Sequence, residues 1–269
     1  MSEDKPRRKL LPRILSTVLV AIGVALLKLK AFLVALFVNP FEGFGAAQYA
    51  VAGGSIIVTV AAYAWRKYPL GLILGFVIIT LIHEIGHAII IRAKGLRAGF
   101  MVFIPFIGGA VTLKDQPRSA YDDAQIGLAG PIAGTAASLI SLQIFKWSGN
   151  TLYLLIALAG FVLNLVNLLP IGVLDGGRIS AAITKWMWIF GGGVLVYKAI
   201  KQPNPLIIVI LVLAAFQVYA SIVREKEDKA FYDVTVGQRA GVAFFYFALV
   251  MFLGHQTYMA LDRVAMITK

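Results

Sequence analysis

The chain has 269 residues, of which 59% are hydrophobic and 14% charged, and a mean hydropathy of +0.84; a water-soluble domain would carry about 45–50% apolar and about 25% charged residues. The net charge of +12 comes from Lys and Arg gathered at the ends of apolar runs, where such residues snorkel and set topology, and this pattern speaks against a nucleic-acid surface. There is no cysteine, so disulfides and thiolate metal sites are excluded.

A helix that crosses a bilayer needs about 20 mostly apolar residues. After a basic start at Arg7, Arg8 and Lys9, the run Ile14–Val38 is apolar apart from Lys28 and Lys30 and stops at Asn39-Pro40. It resembles a signal peptide but lacks a clear small-residue cleavage site, so it is expected to be retained. Gly43–Trp65, Tyr68–Ile91, Ala124–Phe145, Trp147–Leu174, Gln202–Val223 and Ala240–Leu261 follow as long apolar runs, with Trp186–Tyr197 as a shorter, Gly-rich one. The expectation is an all-α polytopic membrane protein of six to eight transmembrane helices. It is read as a single membrane domain, 1–269, with N-terminal helices over 10–65, a core over about 68–185 and C-terminal helices over 186–262.

The segment Gly99–Lys114, GFMVFIPFIGGAVTLK, is too short to span. Aromatic and β-branched residues flank a break at Pro105, Gly108 and Gly109, which predicts a short membrane-associated β-hairpin. An open strand edge cannot face lipid, so the hairpin is expected to lie against protein or water.

Within Tyr68–Ile91 stands His83-Glu84-Ile85-Gly86-His87, an HExxH motif. Residues four apart share a helix face, so His83 and His87 can offer two imidazoles to one metal, with Glu84 placed to take a proton from water. Ionisable groups inside a span cost on the order of 2.5 kcal/mol or more each, which a helix built only to sit in lipid would avoid. The plainer alternative is a buried polar network that joins helices. The third His, His255, reads as a satisfied histidine of the bundle and not as a ligand. For a third ligand, Asp175 is the candidate, because Pro170, Gly172, Gly176 and Gly177 break regular helix around it and irregular backbone at membrane depth lines polar cavities. On the residues alone, the plainer alternative is that Asp175 caps the helix that follows. Gly71/Gly75 and Gly130/Gly134 read as close helix packing, Asp122 and Asp123 as helix-start charges, and Arg178 as a residue that snorkels or pairs at the interface.

HExxH within a span, then an apolar surface loop, a Gly-Pro-bearing span (GLAGPIAG) and the pattern Asn167-x-x-Pro170 leading to Asp175-Gly176, together resemble the site-2 protease family of intramembrane zinc metalloproteases over about Leu70–Ser180. Family members often carry a second proline where this chain has Gly172. The resemblance implies one Zn2+ per chain, held by His83, His87 and Asp175, with Glu84 as catalytic base and Asn167 and Pro170 near the substrate. It also implies that the partner is a membrane-anchored protein or peptide within a lipid bilayer, in the cell membrane of a prokaryote. Because an unwound substrate needs its backbone groups satisfied, strand addition to the hairpin is expected, with Val102 and Ile104 as candidate substrate-binding positions. A metal or ion transporter using the same intramembrane His and Asp ligands is the alternative.

Overall fold

The structure, a computed structural model, describes residues 45–106, 108–172, 174–184, 186–202 and 228–268, with isolated positions between 208 and 223. The expected span Ile14–Val38 lies outside the described residues, as does most of Gln202–Val223. The described chain is helical except for one hairpin. Its elements are α1 (Ala46–Trp65), α2 (Leu70–Ala93), β1 (Ala98–Ile104), β2 (Gly108–Leu113), α3 (Ala120–Ser148), α4 (Thr151–Asn167), α5 (Asp175–Ile183), α6 (Trp186–Lys201), a 3-10 turn (Lys229–Tyr232) and α7 (Val236–Ile267). Four of them, α1, α2, α3 and α7, are long and apolar enough to cross a bilayer, as an integral membrane protein requires. The run Trp147–Leu174, expected as one span, instead yields the 17-residue helix α4 and an irregular stretch after it.

Helix α3 is the hub, packed against α2, α4 and α5. Its start is set by Ser119, whose Oγ accepts from the Asp122 amide, with Asp122 and Asp123 in the first turn, where the helix dipole favours acids. It ends at Gly149, whose φ of 68° is the left-handed conformation that glycine adopts without strain. One face of α3 carries Gly127, Gly130, Gly134, Ala137, Ser138 and Ser141, all buried. Small residues let neighbouring backbones approach closely where lipid supplies no hydrophobic drive between helices. Ser138 and Thr135 turn their hydroxyls back onto the Gly134 and Pro131 carbonyls, so neither is left unsatisfied in the interior. The Gly71/Gly75 pair behaves as read: Cβ atoms there would meet Leu152 and Ile156 of α4.

The hairpin forms where expected. Its register pairs Met101 with Val111, Val102 with Ala110, Phe103 with Gly109 and Ile104 with Gly108. In an antiparallel ladder, successive residues point their backbone groups alternately toward the partner and away from it. Phe103 points away from β2: its N–H donates to Ser55 Oγ at 3.0 Å, and its carbonyl accepts from Thr59 Oγ1 at 3.3 Å. The Phe106 amide donates to Tyr63 Oη. Ser55, Thr59 and Tyr63 lie four residues apart on α1, so one face of that helix covers the outer edge of β1. Val102 and Ile104 therefore face β2, as do their partners Ala110 and Gly108. At the base, Arg97 and Asp115 clasp the two strands through four hydrogen-bonded contacts of 2.7–3.2 Å. The Arg97 guanidinium and backbone amide hold the Asp115 carboxyl down at about 2.

Candidate metal centre

His83, Glu84 and His87 sit in the middle of α2, all three buried. As the i, i+4 spacing predicts, the two rings share one face. His83 Nε2 and His87 Nε2 are 3.1 Å apart. Asp175 reaches both: its Oδ2 is 3.1 Å from His83 Nε2 and its Oδ1 3.2 Å from His87 Nε2. Asp175 does not serve as a cap. Leu174 is the N-cap residue of α5, with no side-chain cap bond, and Asp175 opens the first turn with both oxygens toward the rings. The N-terminal end of a helix favours an ionised carboxylate there.

The outward ring nitrogens select the tautomer of the neutral rings. His87 Nδ1 lies 2.7 Å from the Ile126 carbonyl of α3, which can only accept, so His87 carries its proton on Nδ1. His83 Nδ1 lies 2.8 Å from Asn164 Oδ1 of α4. Asn164 donates its Nδ2 to the Gly160 carbonyl at 2.7 Å, which leaves its oxygen to accept from His83. In each neutral ring this leaves Nε2 with a lone pair, and the Asp175 carboxylate faces both. With neutral rings, two lone pairs and a carboxylate converge here, and Asp175 Oδ2 has no hydrogen-bond partner. Such a cluster repels itself unless a cation sits in it. The three side chains are the one group of metal-ligating type found among the described residues, with all ligand atoms within 4.8 Å of one another. Ligands of a tetrahedral zinc with bonds of about 2.0–2.1 Å stand roughly 3.3 Å apart, close to the three observed separations. The residues present fit a zinc ion.

Glu84 stands beside the cluster without belonging to it. The Val111 amide of β2 faces its carboxylate, while Oε2 is buried with no partner. A Cβ on Gly109 would lie 2.5 Å from Glu84 Oε1, so β2 passes directly over this carboxylate. The outer edge of β2 therefore runs along the metal centre, and the outer edge of β1 runs along α1.

Gly130 and Gly134 do more than pack helices. A Cβ on Gly130 would lie 2.8 Å from His83 Nε2 and 2.5 Å from His87 Cε1, and one on Gly134 would meet Asn164. These glycines make room for the imidazoles and for the amide that orients one of them. The chain between Leu168 and Leu174, which carries Asp175 into place, is pinned by neighbours. Tyr246 Oη of α7 donates to the Leu168 carbonyl at 2.6 Å, and Trp188 Nε1 of α6 donates to the Gly177 carbonyl at 2.9 Å.

Of the remaining positions singled out in the sequence, Asn167 is half-buried at the end of α4, and Pro170 is buried in the turn beyond it. Neither belongs to the His–His–Asp cluster. His255 is exposed on α7 and not satisfied within the bundle, because it lies on the outer face, away from buried Leu253 and Ala260. Asn164 was missed. Its signal was available: it is the one polar residue inside an apolar run, one helical turn before Asn167.

Comparison with known proteins agrees with this geometry. Residues 71–150 match the model of peptidase family M50. The match contains His83, Glu84 and His87 and ends before Asp175, so the place of Asp175 in the centre rests on the structure. The chain is 30% identical over 116 residues to the zinc metalloprotease MJ0392 of Methanocaldococcus jannaschii, covering 41% of this chain and 33% of that one. It is 25% identical over 129 residues to a putative zinc metalloprotease, sll0528, of Synechocystis, covering 45% and 33%. It is 27% identical over 146 residues to a probable chloroplastic zinc metalloprotease, EGY2, of Arabidopsis thaliana, covering 38% and 26%. The aligned stretch spans a third or less of the length of each of these relatives. Over residues 71–150, which hold the HExxH motif, the chain is similar to peptidase family M50, and the buried triad is in keeping with that likeness.

Proposed function

We propose that this protein is an intramembrane zinc endopeptidase that hydrolyses peptide bonds in or near the transmembrane segments of membrane-anchored proteins. The observation that carries the reading is the convergence of ligand atoms from His83, His87 and Asp175, all within 4.8 Å of one another, next to a buried carboxylate, Glu84, whose Oε2 has no partner. His83, His87 and Asp175 would hold one zinc ion per chain. Bound there, zinc supplies Lewis acidity toward water and a scissile carbonyl.

The protein's own residues do the rest. Asn164 and the Ile126 carbonyl keep the imidazoles in the tautomer that binds metal. The Val111 amide steadies Glu84, and its free Oε2 accepts a proton from the attacking water. As the water oxygen bonds to the carbonyl carbon and the C–N bond breaks, Glu84 returns that proton to the leaving nitrogen. The substrate must be extended, because a helix hides its carbonyls, and freed backbone groups need partners in lipid. Strand addition to the hairpin would supply them. The outer edge of β2, at Gly109–Val111, is the edge beside Glu84, so we place the substrate strand there. Val102 and Ile104 support that edge from behind by pairing with Ala110 and Gly108. Asn167 and Pro170 would border the substrate where the chain leaves α4. The setting proposed is a prokaryotic cell membrane, in keeping with the archaeal and cyanobacterial relatives. The transport reading gains no observation of its own.

The test is cleavage of transmembrane model peptides by the purified full chain and by Glu84→Gln. The expected result is that both bind zinc and only the parent cleaves. Cleavage by Glu84→Gln, or metal movement into vesicles without any cleavage by the parent, overturns the proposal.

A further inference from the structure

Asp123 reads in the sequence as a helix-start charge and Arg178 as a residue that snorkels or pairs at the interface; the fold brings the two together across 55 residues. Arg178 Nε and Nη2 both donate to Asp123 Oδ1, at 2.9 and 2.6 Å. The side chains are only 19% and 20% exposed, so the pair is largely withdrawn from water, and removing either partner would strand the other.

What the pair joins gives it meaning. Arg178 lies one turn after Asp175 on the nine-residue helix α5, so the two share a face. Asp123 lies one turn before Ile126 on α3, and Ile126 supplies the carbonyl that holds His87. Gly127, between them, lets the helices close up: a Cβ there would lie 3.2 Å from the Asp175 carbonyl and 3.5 Å from Arg178 Cβ. One short stretch of α3 thus grips the element bearing one ligand and the ring of another. Asp175 depends on such a grip, because its own oxygens are turned to the imidazoles and make no cap bond to the helix that carries them.

We propose that the Asp123–Arg178 pair positions Asp175, setting the carboxylate corner of the metal centre relative to His87. Both are positioning residues and touch no reacting atom. The proposal rests on the zinc-centre reading above, and its test separates the two. Cobalt(II) is loaded into the purified full chain, and the visible ligand-field spectrum and the rate of cobalt release to a chelator are recorded. The variants are Asp123→Asn, Arg178→Gln, Arg178→Lys and, as a control, Asp122→Asn, which breaks the neighbouring ion pair to Lys94 without reaching α5. Asp123→Asn and Arg178→Gln are expected to shift the spectrum and release cobalt at least about ten-fold faster, in line with the effect of outer-shell partners. Arg178→Lys keeps the charge with fewer donors and should fall between them and the parent. Asp122→Asn should keep the parental spectrum and rate while lowering the melting temperature. Parental spectra and rates in both charge-removing variants overturn the proposal, as does an equal change in Asp122→Asn. If neither charge-removing variant folds, Arg178→Lys decides: a release rate a few-fold above the parent's supports the proposal, and a parental rate overturns it. A parent that takes up no cobalt refutes the zinc-centre reading instead.

Discussion

Replacing Gly130 by Ala adds one methyl group to α3 and should weaken the metal centre. That methyl would stand 2.8 Å from His83 Nε2 and 2.5 Å from His87 Cε1, where carbon contacts ordinarily settle at about 3.5–4.0 Å. Relief requires the rings to move by about 1 Å. They cannot do so freely, because their far sides are tied to Asn164 and Ile126 by bonds of 2.8 and 2.7 Å. A shift of that size carries either contact past roughly 3.6 Å, where it is no longer a hydrogen bond. Leaving a buried partner unsatisfied costs about 1–3 kcal/mol, and each 1.4 kcal/mol is about a factor of ten in affinity. Zinc affinity should therefore fall by about 10–100-fold, measured on the full chain in detergent by competition with a chelator. Gly254→Ala on α7, where nothing lies within 4 Å, is the matched control and should bind as the parent does. Parental zinc affinity in Gly130→Ala would refute the claim that α3 is fitted against the imidazoles.

Other outcomes follow from the same contacts. Asn164→Leu, which removes the acceptor from His83, should weaken zinc by about 10–100-fold in the same competition assay. Val111→Pro deletes the amide facing Glu84, and prolines at 102 or 104 remove ladder bonds to β2; all three should lower peptide cleavage while zinc content stays at the parental level. Ser55→Ala and Thr59→Ala should raise hydrogen exchange at the Phe103 amide and its neighbours, because each uncovers part of the β1 edge. The Arg97–Asp115 clasp has a defined pH window. With the folded carboxyl held down at about 2 and the unfolded value near about 3.9, the clasp is fully present above about pH 4 and is lost as pH falls through about 2. Exchange protection at the hairpin base should be flat across neutral pH, and Asp115→Asn should reduce it there.

The metal centre was legible in the sequence to the extent that helical spacing decides it. His83 and His87 had to share a face, and the Pro and Gly residues around Asp175 signalled a non-helical approach. What spacing cannot carry is who stands behind a ligand. Asn164 and Asn167 differ by one turn, and the Asn-x-x-Pro pattern drew notice to Asn167, while the buried neighbour that touches His83 escaped it. Gly130 read as packing because a glycine in a helix says nothing about what occupies the space it leaves. The hairpin was visible as alternating apolar residues around a Pro–Gly break, but a one-residue change of register swaps the two edges, so only the observed pairing places Phe103 on α1 and Val111 on Glu84. The Asp123–Arg178 pair links helices that no local pattern connects. The expected span over Trp147–Leu174 fell short because apolar composition continues past Asn167, where the backbone turns to bring Asp175 inward.

Zinc K-edge absorption on the purified full chain, set beside Asp175→Ala, addresses the central claim most directly. The account predicts one zinc per chain with two imidazole nitrogens and carboxylate oxygen at about 2.0–2.1 Å, and loss or rearrangement of that shell in the variant. A shell lacking imidazole, or one that Asp175→Ala leaves unchanged, would contradict it.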